Sequence, residues 1–143
     1  MVYAAPMKTS ETPTIPQGSL RPPIRPTILV VEDEILLSAD IAEELDAAGF
    51  SVLTALTGEE ALMIVEGEAI DVLFTDIRLP GAVDGWQVAA AARRRNPKLP
   101  VIYVTGYEVE QPRMVSGSRF LVKPYRPRGV IEAIAALGVQ PET

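Results

Sequence analysis

Residues 72–80 read Val-Leu-Phe-Thr-Asp-Ile-Arg-Leu-Pro, a stretch that runs from a buried strand directly into a carboxylate. The first four residues have the β-branched and aromatic character of strands. Asp76 follows them at once, and Pro80 prevents regular structure from continuing. A carboxylate at the edge of a core is unfavourable unless partners compensate it. The stretch therefore predicts that the fold brings other polar side chains to Asp76.

Strand-like and helix-like segments alternate on both sides of this stretch, beginning at residue 27. Short and continuously apolar runs are typical of strands that are buried on both faces of a sheet. By this criterion we predict five strands, at residues 27–31, 51–55, 71–75, 100–104 and 119–122.

Helix signals occupy the intervals between these strands. The first helix carries an apolar stripe and ends before Gly49, a residue suited to a C-terminal cap. The second begins with the capping box Thr57-Gly-Glu-Glu60, and the third is capped by Asp84. The last helix begins at Pro127, since proline is well suited to a first helical turn.

Two segments have weaker patterns. A fourth helix is expected within residues 108–118, where Pro112 and Gly117 predict that it is short or irregular. Residues 1–26 contain six prolines and little periodicity, which predicts disorder. We accordingly divide the chain into a Pro-rich extension at residues 1–26, a domain at residues 27–138 and a tail at residues 139–143.

Five strands that alternate with helices predict an α/β fold, with a parallel sheet covered on both faces. In such sheets, ligands bind beyond the carboxyl ends of the strands. Polar residues follow four of the five predicted strands, and we expect them to converge on one site: Glu32 and Asp33, Asp76, Thr105, and Lys123.

Three carboxylates within a few ångströms repel one another, and a bound cation relieves the repulsion. Glu32, Asp33 and Asp76 offer only oxygen ligands, which suit Mg²⁺. Beside such an ion Asp76 stays ionised and can attack phosphorus. Thr105 adds a hydroxyl donor, and Lys123 adds a positive charge suited to phosphate. Together these residues predict a site that forms and holds an aspartyl phosphate.

The composition excludes several other kinds of site. The chain has no histidine and no cysteine, so His-based general bases, disulfides and Cys metal sites are excluded. Its net charge of −6 argues against a nucleic-acid partner, because such binding depends on cations that neutralise phosphates. No apolar run approaches the ~18 residues of a membrane span, and no secretory signal is present. We therefore expect a cytoplasmic protein with no membrane partner.

Over residues 27–138 this pattern resembles the receiver domain of two-component response regulators. The resemblance depends on the order of five short motifs: the acidic pair Glu32-Asp33, the Asp-x-x-x-Pro loop at residues 76–80, Asp84-Gly85, Thr105 after the fourth strand, and Lys123-Pro124 after the fifth. It implies a flavodoxin-like (βα)5 doubly wound parallel sheet with strand order 2-1-3-4-5.

The resemblance also implies roles for individual residues. Asp76 would accept a phosphoryl group from a histidine kinase or a histidine phosphotransfer protein. Mg²⁺ would be bound by Glu32, Asp33, Asp76 and the backbone carbonyl of Arg78. Thr105 and Lys123 would contact the phosphoryl oxygens, and Thr105 would act as a switch together with the aromatic side chain of Phe120.

The expected function is that of a phosphorylation-controlled switch rather than an enzyme. No output domain is evident in the 143 residues, so a stand-alone receiver is expected. Its downstream protein effector would contact the face built from the fourth helix, the fifth strand and the last helix. The Thr105-Gly106-Tyr107 stretch partly resembles the FATGUY-type single-domain regulators. Two departures from the family are a loop at residues 79–85 that is one residue longer, and a shortened connection before Phe120.

Three alternatives remain open from the residues. A pseudo-receiver would only dock to partners, although the acids and Lys123 are intact. A flavodoxin-like cofactor binder would need phosphate-binding amides after the first strand, where this chain has Glu-Asp-Glu. An aspartyl-phosphate hydrolase of the haloacid dehalogenase type needs a second aspartate two residues after the nucleophile, where this chain has Arg78.

Overall fold

A computed structural model describes residues 23–106 and 113–142 of the protein. Within these ranges the strands are β1 (Thr27–Val31), β2 (Ser51–Ala55), β3 (Val72–Asp76), β4 (Val101–Thr105) and β5 (Arg119–Val122). The helices are α1 (Ile35–Ala47), α2 (Gly58–Gly67), α3 (Gly85–Arg95) and α4 (Pro127–Ala136). In the described ranges no helix is long and apolar enough to cross a bilayer.

The five strands form one parallel sheet in the order β2-β1-β3-β4-β5. This confirms the predicted doubly wound sheet and its strand order. The three central strands are almost wholly buried, whereas β2 and β5 at the edges are partly exposed. Burial on both faces explains why the central strands are continuously apolar in sequence.

Successive side chains of each strand enter two separate cores, one on each face of the sheet. Leu29 and Leu73 pack under α2 and α3 on the first face. Ile28 and Phe74 pack under α1 and α4 on the second face. Each helix pair therefore covers one face and leaves the strand ends accessible to loops.

The connection between β4 and β5 differs most from a regular repeat. Its described part, residues 113–118, contains a turn and no helix, which agrees with the predicted irregularity. The Val115 amide donates to the buried Tyr103 hydroxyl at 3.0 Å, and Arg93 donates to the Ser116 carbonyl at 2.7 Å. Tyr107, named above for its resemblance to a known motif, lies outside the described residues, as does Pro112.

The predicted helix caps are present, with one correction. The Thr57 side chain accepts from the Glu60 amide at 3.1 Å, as expected. The Glu60 carboxylate, however, accepts from the Leu56 amide at 2.7 Å instead of closing the predicted capping box on Thr57. The complete box belongs to α3, where Asp84 and Gln87 each accept a hydrogen bond from the other's backbone amide at 2.9 Å.

The described residues outside the predicted 27–138 domain contact it and each other. Arg25 donates to the Asp46 carboxylate and to the Phe50 carbonyl, both at 2.8 Å. The Ile24 amide donates to the Glu142 carboxylate at 3.0 Å. The domain boundaries stay predictions, but residues 24–26 and 139–142 lie together at the amino edge of the sheet.

Candidate functional site at the carboxyl edge of the sheet

The three predicted acids meet at the carboxyl ends of β1 and β3, where Asp76 is the last residue of β3 and not, as predicted, the residue after it. Oxygen atoms of Glu32, Asp33 and Asp76 all lie within 4.8 Å of one another. The parallel register explains why these acids lie close together, since β1, β3 and β4 all end at the same edge of the sheet. Residues separated by 44 positions in sequence therefore form one acidic cluster.

Lys123 joins this cluster from the end of β5. Its Nζ lies 2.9 Å from Glu32 Oε1, 3.1 Å from Asp76 Oδ1 and 3.2 Å from Asp76 Oδ2. Its backbone amide donates to the Thr105 carbonyl at 2.9 Å, which continues the β4–β5 ladder by one step. The sheet itself thus fixes the point from which the ammonium group reaches both carboxylates.

Burial differs strongly among the acids. Glu32 is 1% exposed and Asp76 is 5% exposed, whereas Asp33 is open to solvent. The second carboxylate oxygen of Glu32 accepts from the Glu34 amide at 2.9 Å. Glu32 is therefore held from two sides by Lys123 and by backbone, while Asp33 is free to meet an ion that arrives from solvent.

Burial and the neighbouring Glu32 raise the pKa of Asp76 to about 8. Burial alone would raise the pKa of Glu32 as well, but hydrogen bonds with Asp76, the Glu34 amide and Lys123 outweigh it and lower that pKa. Burial also opposes the charge of Lys123, yet the two carboxylates raise its pKa overall. In the absence of a metal ion, a proton shared by the acids accordingly resides on Asp76.

An open cavity of about 480 Å³ gives access to Asp76. Thr105, buried at 3% exposure, contributes to its wall at the end of β4. The cavity is large enough for a small anion with its hydration water. Its walls are formed by Asp33, Glu34, Asp76, Arg78, Thr105, Gly106 and Lys123.

Phe120 and Thr105 lie on the same face of the sheet. Phe120 is paired with Tyr103 across β4 and β5, and Thr105 follows Tyr103 by two residues. The Phe120 side chain is half-buried against the first core. The structure therefore places the two predicted switch residues on adjacent strands; their role as a switch stays a proposal.

Two further residues shape the site for reasons that the sequence pattern did not reveal. A Cβ on Gly85 would lie 2.0 Å from the Asp76 carbonyl oxygen, so the start of α3 packs directly against the Asp76 backbone. Tyr125 stands edge-on to Phe74 at 5.6 Å, and its buried hydroxyl has no hydrogen-bond partner among the described residues. Burial, with Glu32 and Asp76 close by, raises the pKa of Tyr125. In the sequence, the position of Tyr125 two residues after Lys123 was the one feature that could have indicated its place near the site.

The donor set fits a hard divalent cation. Carboxylate oxygens from Glu32, Asp33 and Asp76 share a small volume, and a hydrated ion can reach them through the cavity. Arg78 also lines this cavity, and the role of its backbone carbonyl as a ligand stays a prediction. Magnesium prefers such partly hydrated sites with few carboxylates.

Comparison with known proteins identifies the family. Residues 28–135 match the response regulator receiver domain. The response regulator protein FleR of Pseudomonas aeruginosa is 32% identical over 121 residues, which are 80% of this chain and 25% of FleR. The alkaline phosphatase synthesis transcriptional regulatory protein PhoP of Bacillus subtilis is 31% identical over 114 residues, which are 77% of this chain and 47% of PhoP. The chain thus spans a quarter to about half the length of these curated relatives.

Solved structures agree with this assignment. A response regulator receiver protein from Sinorhizobium medicae WSM419 superposes with a TM-score of 0.76 at 36% identity, covering 79% of this chain and 94% of that chain. The receiver domain of the hybrid histidine kinase CckA superposes with a TM-score of 0.68 at 36% identity, covering 78% and 97%. On its sequence and its fold alike, the chain belongs to the family of response regulator receiver domains.

Proposed function

We propose that this domain accepts a phosphoryl group on Asp76 from a phosphorylated histidine of another protein. The observation that carries the proposal is the position of the Asp76 carboxylate, which opens into the cavity between two acids and Lys123. An Oδ–P bond would form on Asp76 while the N–P bond of the donor breaks, its electron pair remaining on the imidazole. The 143 residues contain no histidine, so the phosphohistidine would lie outside them, on a histidine kinase or a histidine phosphotransfer protein.

Glu32, Asp33, Asp76 and the Arg78 carbonyl would hold Mg²⁺, with Glu32 able to act through a water molecule. When bound, the ion supplies positive charge that keeps Asp76 ionised and offsets the charge of the phosphoryl oxygens. The fit of the donor set supports this part of the proposal. Positive charge from the ion would also explain how Asp76, a carboxyl group with a raised pKa, can serve as a nucleophile at neutral pH.

Lys123 and Thr105 would recognise the transferred group. The ammonium group of Lys123 already lies within 3.2 Å of Asp76 and can bind a phosphoryl oxygen as a point charge. Thr105 lines the same cavity, and its hydroxyl could donate to a second oxygen. Both side chains would contact phosphoryl oxygens that are present only after transfer, and these differential contacts would shift the structure.

The shift would be transmitted along β4 and β5 to a protein effector. Thr105 and Phe120 share one face of the sheet, and β5 borders residues 113–118 and α4. We propose that this face is the effector surface. FleR and PhoP are named as regulators, but the chain covers at most about half of either. The absence of nucleic-acid contact and the stand-alone organisation stay predictions.

Intact-mass spectrometry tests the proposal directly. The chain is incubated with acetyl phosphate and Mg²⁺, and its mass is compared with that of Asp76→Asn treated in the same way. We expect the parent alone to gain one phosphoryl group, and EDTA to abolish the gain. A parent that gains none, or a variant that gains as much, would overturn the assignment of Asp76.

A further inference from the structure

The loop at residues 77–84 joins the proposed phosphoacceptor to α3. It carries the additional residue, relative to the receiver family, that was noted between positions 79 and 85. Its two ends are closed by a hydrogen bond from the Gly85 amide to the Ile77 carbonyl at 2.8 Å. Arg78, at the front of the loop, lines the cavity above Asp76. Contacts that fix the middle of the loop therefore also affect where Arg78 lies in the cavity wall.

Glu59, in the first turn of α2, contacts the middle of this loop. Its Oε2 accepts from the Ala82 amide at 2.9 Å. A Cβ added to Gly81 would lie 2.8 Å and 2.9 Å from the two carboxylate oxygens, so the carboxylate rests against the Gly81 backbone. Gly81 has a φ of 89°, in the left-handed region that favours glycine. The lengthened loop thus turns where the carboxylate meets it.

The neighbouring residue of α2 adds a second contact. A Cβ on Gly58 would lie 2.3 Å from the Val83 carbonyl oxygen, so the backbones of α2 and the loop touch directly. Hydrogen bonding from Ala82 also lowers the pKa of Glu59, which keeps its carboxylate ionised as an acceptor. Two consecutive residues of α2 therefore hold three consecutive residues of the loop.

We propose that Glu59 is a positioning residue for the metal-binding loop: its hydrogen bond to Ala82 presets the loop so that the Arg78 carbonyl is in place before Mg²⁺ arrives. This inference rests on the proposed function, because it assigns Arg78 to the ion. Glu59 itself does not line the cavity, so its proposed effect on the ion passes through the loop. A loop that is already ordered loses less conformational freedom on binding, and so binds more tightly.

Magnesium titration followed by NMR amide shifts tests this role in the full chain. Glu59→Ala should weaken Mg²⁺ binding about three- to ten-fold, and it should speed hydrogen exchange of the Ala82 amide in Mg²⁺-free buffer. Glu59→Gln retains an acceptor oxygen and should stay within about two-fold of the parent. Glu66→Ala, which removes the same charge from the exposed end of α2, is the matched control and should match the parent.

The outcomes separate this inference from the proposed function. If Glu59→Gln weakens binding as much as Glu59→Ala, charge is responsible and the positioning role is wrong. If Glu59→Ala binds Mg²⁺ like the parent while the parent gains phosphate from acetyl phosphate, only the inference fails. If the parent neither binds Mg²⁺ nor gains phosphate, both fail together.

Discussion

Asp76 and Glu32 share one small environment, but their pKa values move in opposite directions. Burial and the charge of Glu32 favour the protonated form of Asp76, whereas Lys123 and the Glu34 amide favour the ionised form of Glu32. Without a metal ion, two carboxylates share the single positive charge of Lys123. A divalent ion would add positive charge beside Asp76 and so favour its ionised form. Metal binding and the ionisation of Asp76 would therefore be coupled.

The raised pKa of Asp76 predicts a pH-dependent stability difference between the parent and Asp76→Asn. The pKa lies at about 8 in the folded chain against an ordinary value of 3.8, so the folded state binds this proton more tightly. The resulting stabilisation is present at low pH and is lost as the pH rises through about 8. In Mg²⁺-free buffer we expect Asp76→Asn to gain about 2 kcal/mol over the parent between pH 6 and pH 8.

Urea unfolding at the two pH values measures this difference. Titrating groups that do not interact with Asp76 contribute equally to both proteins, so their contributions cancel in the comparison. A stability difference that stays constant between pH 6 and pH 8 would contradict the assignment of the proton to Asp76.

Among the elements, α3 is the one most closely tied to the site. Asp84 caps it through the reciprocal hydrogen bonds with Gln87, and Arg113 lies 3.4 Å from the second Asp84 oxygen. The helix then begins at Gly85, where its backbone meets the Asp76 carbonyl. One helix start thus contacts both the proposed phosphoacceptor strand and the irregular connection to β5.

Substitution of the first residue of α3 tests that contact. Gly85→Ala places a methyl group 2.0 Å from a backbone oxygen that cannot move independently of the sheet, and should lower the free energy of unfolding by about 2–3 kcal/mol. Gly129→Ala in α4 is the matched control, since nothing lies within 4 Å of its Cβ position. The control should be neutral or up to about 1 kcal/mol more stable. Equal stabilities for the two variants in thermal or urea unfolding would contradict the packing described.

At the scale of the whole molecule, the sequence predicted the sheet and the meeting of its acids because both follow from local patterns repeated along the chain. Continuous apolar runs reveal buried strands, and a parallel sheet sends every strand end to one edge. The contacts that were missed depend on distances across the fold instead. Glu59 accepts from the Ala82 amide, 23 residues away, because of how α2 packs against the loop, which no local spacing records. Tyr125 was missed for the same reason.

Packing at the amino edge of the sheet predicts that the last residues of the chain contribute measurably to the free energy of unfolding. Val139 packs in the second core, and Pro141 lies against Gly49, where a Cβ would be 2.8 Å away. Removing residues 139–143 should therefore lower the free energy of unfolding by about 1–2 kcal/mol. Glu142→Ala, which removes the exposed hydrogen bond donated by the Ile24 amide, should cost less than about 0.5 kcal/mol. A truncated chain as stable as the parent in urea would show that this packing is unimportant.

The pairing of Ile24 with Glu142 brings the two described chain ends together on the side of the sheet away from the acids. A fluorophore, an affinity handle or a surface tether attached at residue 24 or residue 142 would lie on the opposite side of the sheet from the acidic cavity. Kinetic experiments on immobilised or labelled protein should then report the same transfer rate as the free chain. Joining residues 24 and 142 with a short linker and reopening the chain elsewhere should likewise leave the acidic cavity unobstructed.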